Sequence, residues 1–274
     1  MRTMTLHDIQ FVSLDILKDV HNFCEANNIK YMLFAGTQLG AVRHSGFIPW
    51  DDDVDIVMPR PDYDRFCKQY KSENGYECFN RENAGCYISF ARICDMRRTH
   101  VDCSGLPWIN RQTGVWIDLF PLDGAEDSVD DAARRMPKLR KLMNRGMKVR
   151  YALGDYSSKD SILKKAKLLL YRLFYLHDKK KDCFDQHIEQ CKLIPFGSTQ
   201  HYCNWSYNAY GMKEYHHIRT IESRILHQFE DGEFYIMGGY DEALKEKFGN
   251  YMELPPEDKR VAGHAIFHYY WKSS

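Results

Sequence analysis

No run of about 18 apolar residues occurs in the 274-residue chain, so a transmembrane helix is not expected. The first residues, Met-Arg-Thr-Met-Thr-Leu-His-Asp, lack the apolar core of a signal peptide. None of the nine cysteines stands in a C-x-x-C pair, and the number is odd. That argues against a disulfide framework and a structural zinc site, and predicts reduced thiols in a cytoplasmic chain. A Walker loop, a dinucleotide fingerprint and a nucleophilic triad pattern are missing too. Repeats and Pro/Gly/Ser-rich linkers are absent. What remains, 44% hydrophobic and 28% charged residues, is the composition of a globular protein.

Net charge is also lacking, but its absence is an average. Residues 134–181 hold 16 Lys+Arg against 3 Asp+Glu, a net of +13, so the rest of the chain carries −13. A basic segment in a neutral protein suggests an anionic partner on one face, or simply a solvated helical face.

Apolar periodicity predicts an α/β (α+β) protein. A helix over 5–28, capped by Thr5, precedes a buried strand over 29–35 and a short helix from Thr37 or Gln38. A further helix spans 62–70, and strands are expected over 76–79, 87–93 and past Thr99. Gly114 to Asp123 is apolar on both faces and reads as a central strand. Two basic helices, 128–152 and 160–177, follow. The apolar stripe of the second (Ile162, Leu163, Leu169, Leu170, Leu173, Phe174) is expected to pack on the domain; the alternative is a helix lying on an anionic membrane. Tyr240 to Phe248 reads as a helix stopped by Gly249, and His264 and His268 are placed on a final helix. Residues 1–125 form the expected catalytic core and 126–274 a mostly helical part packed on it.

The chemistry concentrates between residues 36 and 60. A strand runs into Gly36-Thr37 at a helix N-terminus, an arrangement that turns backbone N–H groups toward an anion. Arg43 and His44 follow, then Asp51-Asp-Asp-Val-Asp55. Crowded carboxylates repel one another unless a positive charge offsets them. Strand parity puts Val54, Ile56 and Met58 toward the core and Asp53 and Asp55 together on the accessible face, with Cβ atoms roughly 6–7 Å apart. Asp52 has the wrong parity, and Asp51 is given a supporting role. Asp118 lies within the apolar central strand and needs a partner: a cation shared with Asp53 and Asp55, or an arginine. Arg92 has the parity to reach that acidic face, or is an ordinary surface arginine. Three converging carboxylates suit Mg²⁺ or Mn²⁺ and so phosphoryl or nucleotidyl transfer, with Asp118 the candidate to take the proton of an acceptor hydroxyl.

The stretch Gly36-Thr-Gln-Leu-Gly-Ala-Val-Arg-His-Ser-Gly-Phe-Ile-Pro-Trp-Asp-Asp-Asp-Val-Asp-Ile-Val-Met-Pro-Arg-Pro-Asp-Tyr63 resembles the signature of the LicD family. Trp116-Ile-Asp-Leu-Phe-Pro-Leu-Asp123, Phe248-Gly-Asn-Tyr-Met-Glu-Leu-Pro-Pro256, Arg260 and His264 extend the likeness over nearly the whole chain. Phe248 departs from the family's usual tyrosine. The resemblance implies a nucleotidyltransferase-like mixed sheet flanked by helices. It also implies metal ligation by Asp53, Asp55 and Asp118, donor phosphate on Gly36 and Thr37, and motif positions at Arg43, His44 and Arg92. The implied reaction moves phosphocholine, or a related phospho-alcohol, from CDP-choline or another CDP-alcohol to a glycan or lipid-linked glycan acceptor. The basic 134–181 segment would meet the inner face of the membrane, and no nucleic-acid partner is expected. A choline-bearing donor favours an aromatic cage, for which Trp50, Trp108, Trp116 and Trp205 are candidates. NMP transfer from an NTP to a small molecule, and non-catalytic nucleotide or glycan binding, are the competing readings.

Overall fold

Thr5 opens the first long helix as its sequence requires. Its hydroxyl accepts the Asp8 N–H at 3.1 Å, and the Asp8 carboxylate accepts the Thr5 N–H at 2.8 Å, a capping box. The helix α1 (Leu6–Asn27) follows β1 (Arg2–Thr3) and ends at Asn28, whose φ of 50° suits a left-handed C-cap. The computed structural model describes residues 1–84, 88–102, 113–153, 161–175, 183–207, 209–262 and 267–273.

The central sheet is mixed. β2 (Met32–Leu33), β3 (Asp55–Pro59), β4 (Glu77–Phe79), β5 (Ala91–Asp95) and β7 (Val115–Ala125) lie in the order β2-β3-β7-β5-β4, with only β3 and β7 parallel. β8 (His201–Cys203) pairs with the end of β7, and β9 (Tyr215–His217) pairs with β8. A second sheet joins β1, β12 (His268–Trp271) and β6 (Thr99–Asp102), and β10 (Arg224–Phe229) forms a hairpin with β11 (Gly232–Met237). Around them lie α2 (Ala35–His44), α3 (Arg60–Gln69), α4 (Arg81–Ala84), α5 (Val129–Ala152), α6 (Ile162–Tyr175), α7 (Cys183–Cys191), α8 (Arg219–Glu222) and α9 (Tyr240–Phe248).

β7 is the central strand that its two apolar faces predict, and all eleven of its residues are buried. Val115, Ile117 and Leu119 join Ile16, Leu17 and Val20 of α1 in the main core. Phe120 and Leu122, of the other parity, pack with Phe34, Phe90, Tyr202 and Met237. Each such apolar side chain contributes about 1.5–3 kcal/mol by leaving water. The parallel register sets Pro59 opposite Leu122. The next residue of each chain then meets its counterpart: Arg60 Nε and Nη2 bond Asp123 Oδ1 and Oδ2 at 2.6 and 2.8 Å, deep in the protein.

Several expectations change. Only Met32 and Leu33 of residues 29–35 form a strand, because the chain turns early and α2 begins at Ala35 rather than at Thr37 or Gln38. His268 lies on a strand, not a helix: Phe267 and Tyr269 are buried while His268 is exposed, and β12 bonds to β1 and β6. His264 and Trp108 lie outside the described residues. The apolar stripe of α6 does not pack on the domain. Leu168 is buried, but Ile162 and Leu163 are 84% and 83% exposed, and Leu169, Leu170, Leu173 and Phe174 are exposed too. The seven described cysteines are free thiols, and α9 ends at Gly249, as predicted.

Candidate functional site

Two strand registers assemble the site. The parallel pairing of β3 and β7 sets Asp55 opposite Asp118, and the antiparallel pairing of β5 and β7 sets Arg92 opposite Asp118. Residues paired across neighbouring strands project from the same face. Asp55, Asp118 and Arg92 therefore form a row, drawn from segments that are distant in sequence. Arg92 Nε donates to Asp118 Oδ1 at 2.7 Å, and its guanidinium lies 4.4 Å from the centre of the Trp116 ring. Both side chains of the pair are largely buried, so the arginine answers the need of Asp118 for a partner within the strand.

The other aspartates precede the strand. β3 begins only at Asp55, so strand parity does not govern residues 51–54. Carboxylate oxygens of Asp51, Asp52 and Asp53 lie within 4.8 Å of one another. Asp52 is thus not directed away from its neighbours, contrary to the parity argument. Asp51 rests against α2: a Cβ on residue 36 would come within 2.9 Å of its Oδ2, so any larger side chain there would push the carboxylate aside. Its carbonyl oxygen accepts Gln10 Nε2 at 2.8 Å. Burial, and then the charge of Asp53, push the Asp51 carboxyl up to about 9. Burial also raises the Asp55 carboxyl well above the ordinary range, followed by the charges of Asp53, Asp118 and Asp51. These are the marks of carboxylates packed without enough positive charge.

The N-terminus of α2 borders this cluster. Phe34 is its N-cap and offers no capping side chain, so the first-turn N–H groups have no cap acceptor, nor an acceptor within the helix. Ala35 holds φ at +45°, a strained value for a residue with a Cβ, on the turn that presents those groups. Thr37 is buried, and its hydroxyl accepts the Asp55 N–H at 2.8 Å, tying the helix start to β3. Gly36 and Thr37 therefore sit beside Asp51 and Asp55. Arg43 and His44 occupy the other end of α2, about 10 Å away by helix rise. Arg43 Nη1 donates to the carbonyls of Tyr251 and Glu253 at 2.7 and 3.1 Å, which binds that end of α2 to the 251–253 segment.

Other residues escaped sequence reasoning. Tyr207 and Tyr210 come from the region between β8 and β9 and are half exposed. Burial, then Asp118 and Asp55, raise the Tyr207 phenol; burial, then Asp55, raise that of Tyr210. Both rings therefore stand near the carboxylates. Tyr207 stacks with Phe120 at 5.9 Å and meets Phe90 edge-on at 5.8 Å, an aromatic wall beside Asp118. No spacing in the sequence announces it, because Phe90, Phe120 and Tyr207 belong to separate segments. The three described tryptophans proposed for a cage each meet an arginine instead. Trp116 faces Arg92, Trp205 is buried with Arg135 at 5.1 Å, and Trp50 has Arg260 at 5.7 Å.

A hard divalent cation fits this donor set: among the described residues, several carboxylate oxygens stand together here, next to the uncapped start of α2. Among the described residues, the Asp51–Asp53 cluster is the sole group of three such side chains whose ligand atoms lie that close together. Asp55 and Asp118 flank it from the sheet.

Comparison with known proteins agrees with this geometry. The family described as LicD/FKTN/FKRP, nucleotidyltransferase domain, matches residues 28–141. The chain is 34% identical to the lipopolysaccharide cholinephosphotransferase LicD of Haemophilus influenzae, over 96% of this chain and 97% of that protein. Uncharacterised proteins of Rickettsia prowazekii and Rickettsia typhi are 53% identical over 47 residues, 17% of this chain and 18% and 15% of theirs. Since the likeness to the first of these runs from end to end and takes in both strands that carry the carboxylates, the chain belongs to the LicD family.

Proposed function

We propose that this protein transfers phosphocholine, or a related phospho-alcohol, from a CDP-linked donor to a hydroxyl of a lipopolysaccharide- or teichoic-acid-type glycan, releasing CMP. The observation that carries this reading is the contact of the α2 N-terminus with the Asp51 carboxylate and the Asp55 backbone, which supports an anion site and a cation site side by side. The printed activity of the Haemophilus influenzae relative supports phosphocholine as the group moved. Asp53, Asp55 and Asp118 would hold Mg²⁺ or Mn²⁺, with Asp51 behind them. Such a cation, when bound, supplies positive charge against the diphosphate and the departing phosphate.

The chain's own residues do the rest. First-turn N–H groups at Gly36 and Thr37 hold the donor phosphate. Arg92 keeps Asp118 oriented. The acceptor oxygen bonds to the phosphorus that carries the alcohol, the bond from that phosphorus to the CMP oxygen breaks, and the hydroxyl proton passes to Asp118. Incubation with Mg²⁺, a candidate glycan, and either CDP-choline, other CDP-alcohols or NTPs tests this. CMP release from a CDP-alcohol is expected. Pyrophosphate release from an NTP would assign the chain to NMP transfer instead, and no product from any pairing would leave a binding role.

The acceptor class supports a place for the exposed face of α6. That helix alternates Ile162, Leu163, Leu169, Leu170, Leu173 and Phe174 with Lys164, Lys165, Lys167 and Arg172, and no described helix is long and apolar enough to cross a membrane. A basic helix with its apolar side in solvent suits an anionic lipid surface, so the protein would work at the inner face of the membrane. Vesicles containing phosphatidylglycerol should sediment the protein at low salt and release it at high salt. The triple variant Leu170→Glu, Leu173→Glu, Phe174→Glu should not bind. Absent or salt-insensitive binding of the unaltered protein would sink this assignment.

A further inference from the structure

Lys247 ends in an unusual place. It lies on α9 and is only 4% exposed. Its Nζ stands 3.7 Å from the centre of the Phe34 ring and 4.9 Å from that of Tyr210. Glu214, 2% exposed, is its nearest carboxylate, with Oε1 at 3.6 Å, longer than a charge-assisted hydrogen bond. Among the described residues the ammonium has no hydrogen-bond acceptor, and Glu214 Oε2 has no donor. A buried ammonium with its N–H groups unused pays a heavy desolvation penalty. Burial does pull the ammonium toward neutrality, against the opposing charges of Glu214 and Asp55.

The location gives the unused donors a purpose. Phe34 is the N-cap of α2, so Nζ sits at the helix end whose first-turn N–H groups also lack helical acceptors. Asp55 links the two sets of donors: its charge acts on the Lys247 ammonium, and its N–H bonds the Thr37 hydroxyl in the first turn of α2. An anion between them would meet the needs of both. Glu214 answers part of that demand from one side. Tyr210, half exposed at the protein surface it helps form, has the centre of its ring 4.9 Å from the ammonium.

We propose that Lys247 is a phosphate ligand of this site, closing with the N–H groups of residues 35–37 on the diphosphate of a nucleotide-linked donor, while Glu214 holds the ammonium until that donor enters. The proposal rests on the donor being a nucleoside diphosphate derivative. With Glu214 beyond charge-assisted hydrogen-bond distance, the N–H groups of Lys247 stay available to a phosphate oxygen.

Pyrophosphate in the presence of Mg²⁺ is the probe that separates this proposal from the choice of donor. Calorimetric titration of Lys247→Met should show binding weakened about 10- to 100-fold, the loss of one charge-assisted hydrogen bond. The KM for CDP-choline should rise by a similar factor, with a smaller fall in kcat. Glu214→Gln frees the ammonium from its competitor and should bind pyrophosphate more tightly than the unaltered protein, which a purely structural pair would not do. If Lys247→Met does not fold, the double variant Lys247→Met, Glu214→Gln, which buries no charge, takes its place. Unchanged pyrophosphate affinity in the folded variant, or no binding by the unaltered protein, overturns the proposal. Loss of pyrophosphate binding in Lys247→Met without turnover of any CDP-alcohol by the unaltered protein would keep Lys247 as a phosphate ligand and reject the donor instead.

Discussion

Asp55→Asn and Asp118→Asn should each lower kcat on the order of 10³-fold, as expected when several kcal/mol of transition-state charge stabilisation is withdrawn. The two variants should differ in stability, and that difference tests the geometry. Asp55 is surrounded by Asp53, Asp118 and Asp51, whose charges oppose its ionisation. Neutralising it relieves repulsion, so the metal-free Asp55→Asn protein should melt no lower than the unaltered one. Asp118 is ion-paired with Arg92 at 2.7 Å. Its neutralisation takes the carboxylate charge from a largely buried guanidinium, so metal-free Asp118→Asn should melt lower. Added Mg²⁺ should raise the melting temperature of the unaltered protein and have much less effect on either variant. Steady-state turnover and thermal denaturation with and without Mg²⁺ measure all of this; full turnover in either variant removes that residue from the chemistry.

Asp123→Ala should destabilise the fold by about 3–5 kcal/mol, the penalty for stripping one partner from a buried pair. For a chain of this size that lowers the melting temperature by roughly 6–20 °C. Arg60 and Asp123 meet through two parallel contacts, with side chains 10% and 1% exposed. Asp123 also holds the Arg60 charge well above its ordinary strength despite burial. Removing the carboxylate strands the guanidinium against the Tyr63 ring, 5.0 Å away, with the half-exposed Asp64 as its remaining neighbour. The double variant Arg60→Met, Asp123→Leu removes both charges and fills the space, and should recover most of the loss. Urea denaturation decides the matter: a loss under about 1 kcal/mol in Asp123→Ala contradicts the buried-pair account. Arg60 and Asp123 belong to the two stretches most like the LicD family. In those stretches, then, some residues hold the strands together while others face the site.

Local order was largely legible in the chain. The capping box at Thr5, the end of α9 at Gly249, and the central position of β7 each follow from neighbours within a few residues. The likeness of residues 36–63 to the LicD signature pointed to the right family before any coordinates, as the end-to-end identity with a relative bears out. Parity failed at Asp52 because an alternation rule holds only inside a strand, and the strand starts three residues later. The apolar stripe of α6 was visible, but whether it meets protein or solvent depends on what lies across from it. His268 was misplaced because a short segment at an edge takes its form from the strands it bonds to.

By itself, then, the sequence determined the family, the helices with strong caps and periodicity, and the residue types available for chemistry. Tertiary structure alone decided which of them meet. Arg92 reaches Asp118 and Arg60 reaches Asp123 through strand register, and Lys247 reaches the start of α2 through packing of α9 some two hundred residues further along. Helix caps and side-chain periods act over a few residues, whereas register and packing are settled by hydrogen bonds and burial between segments that the chain order does not pair.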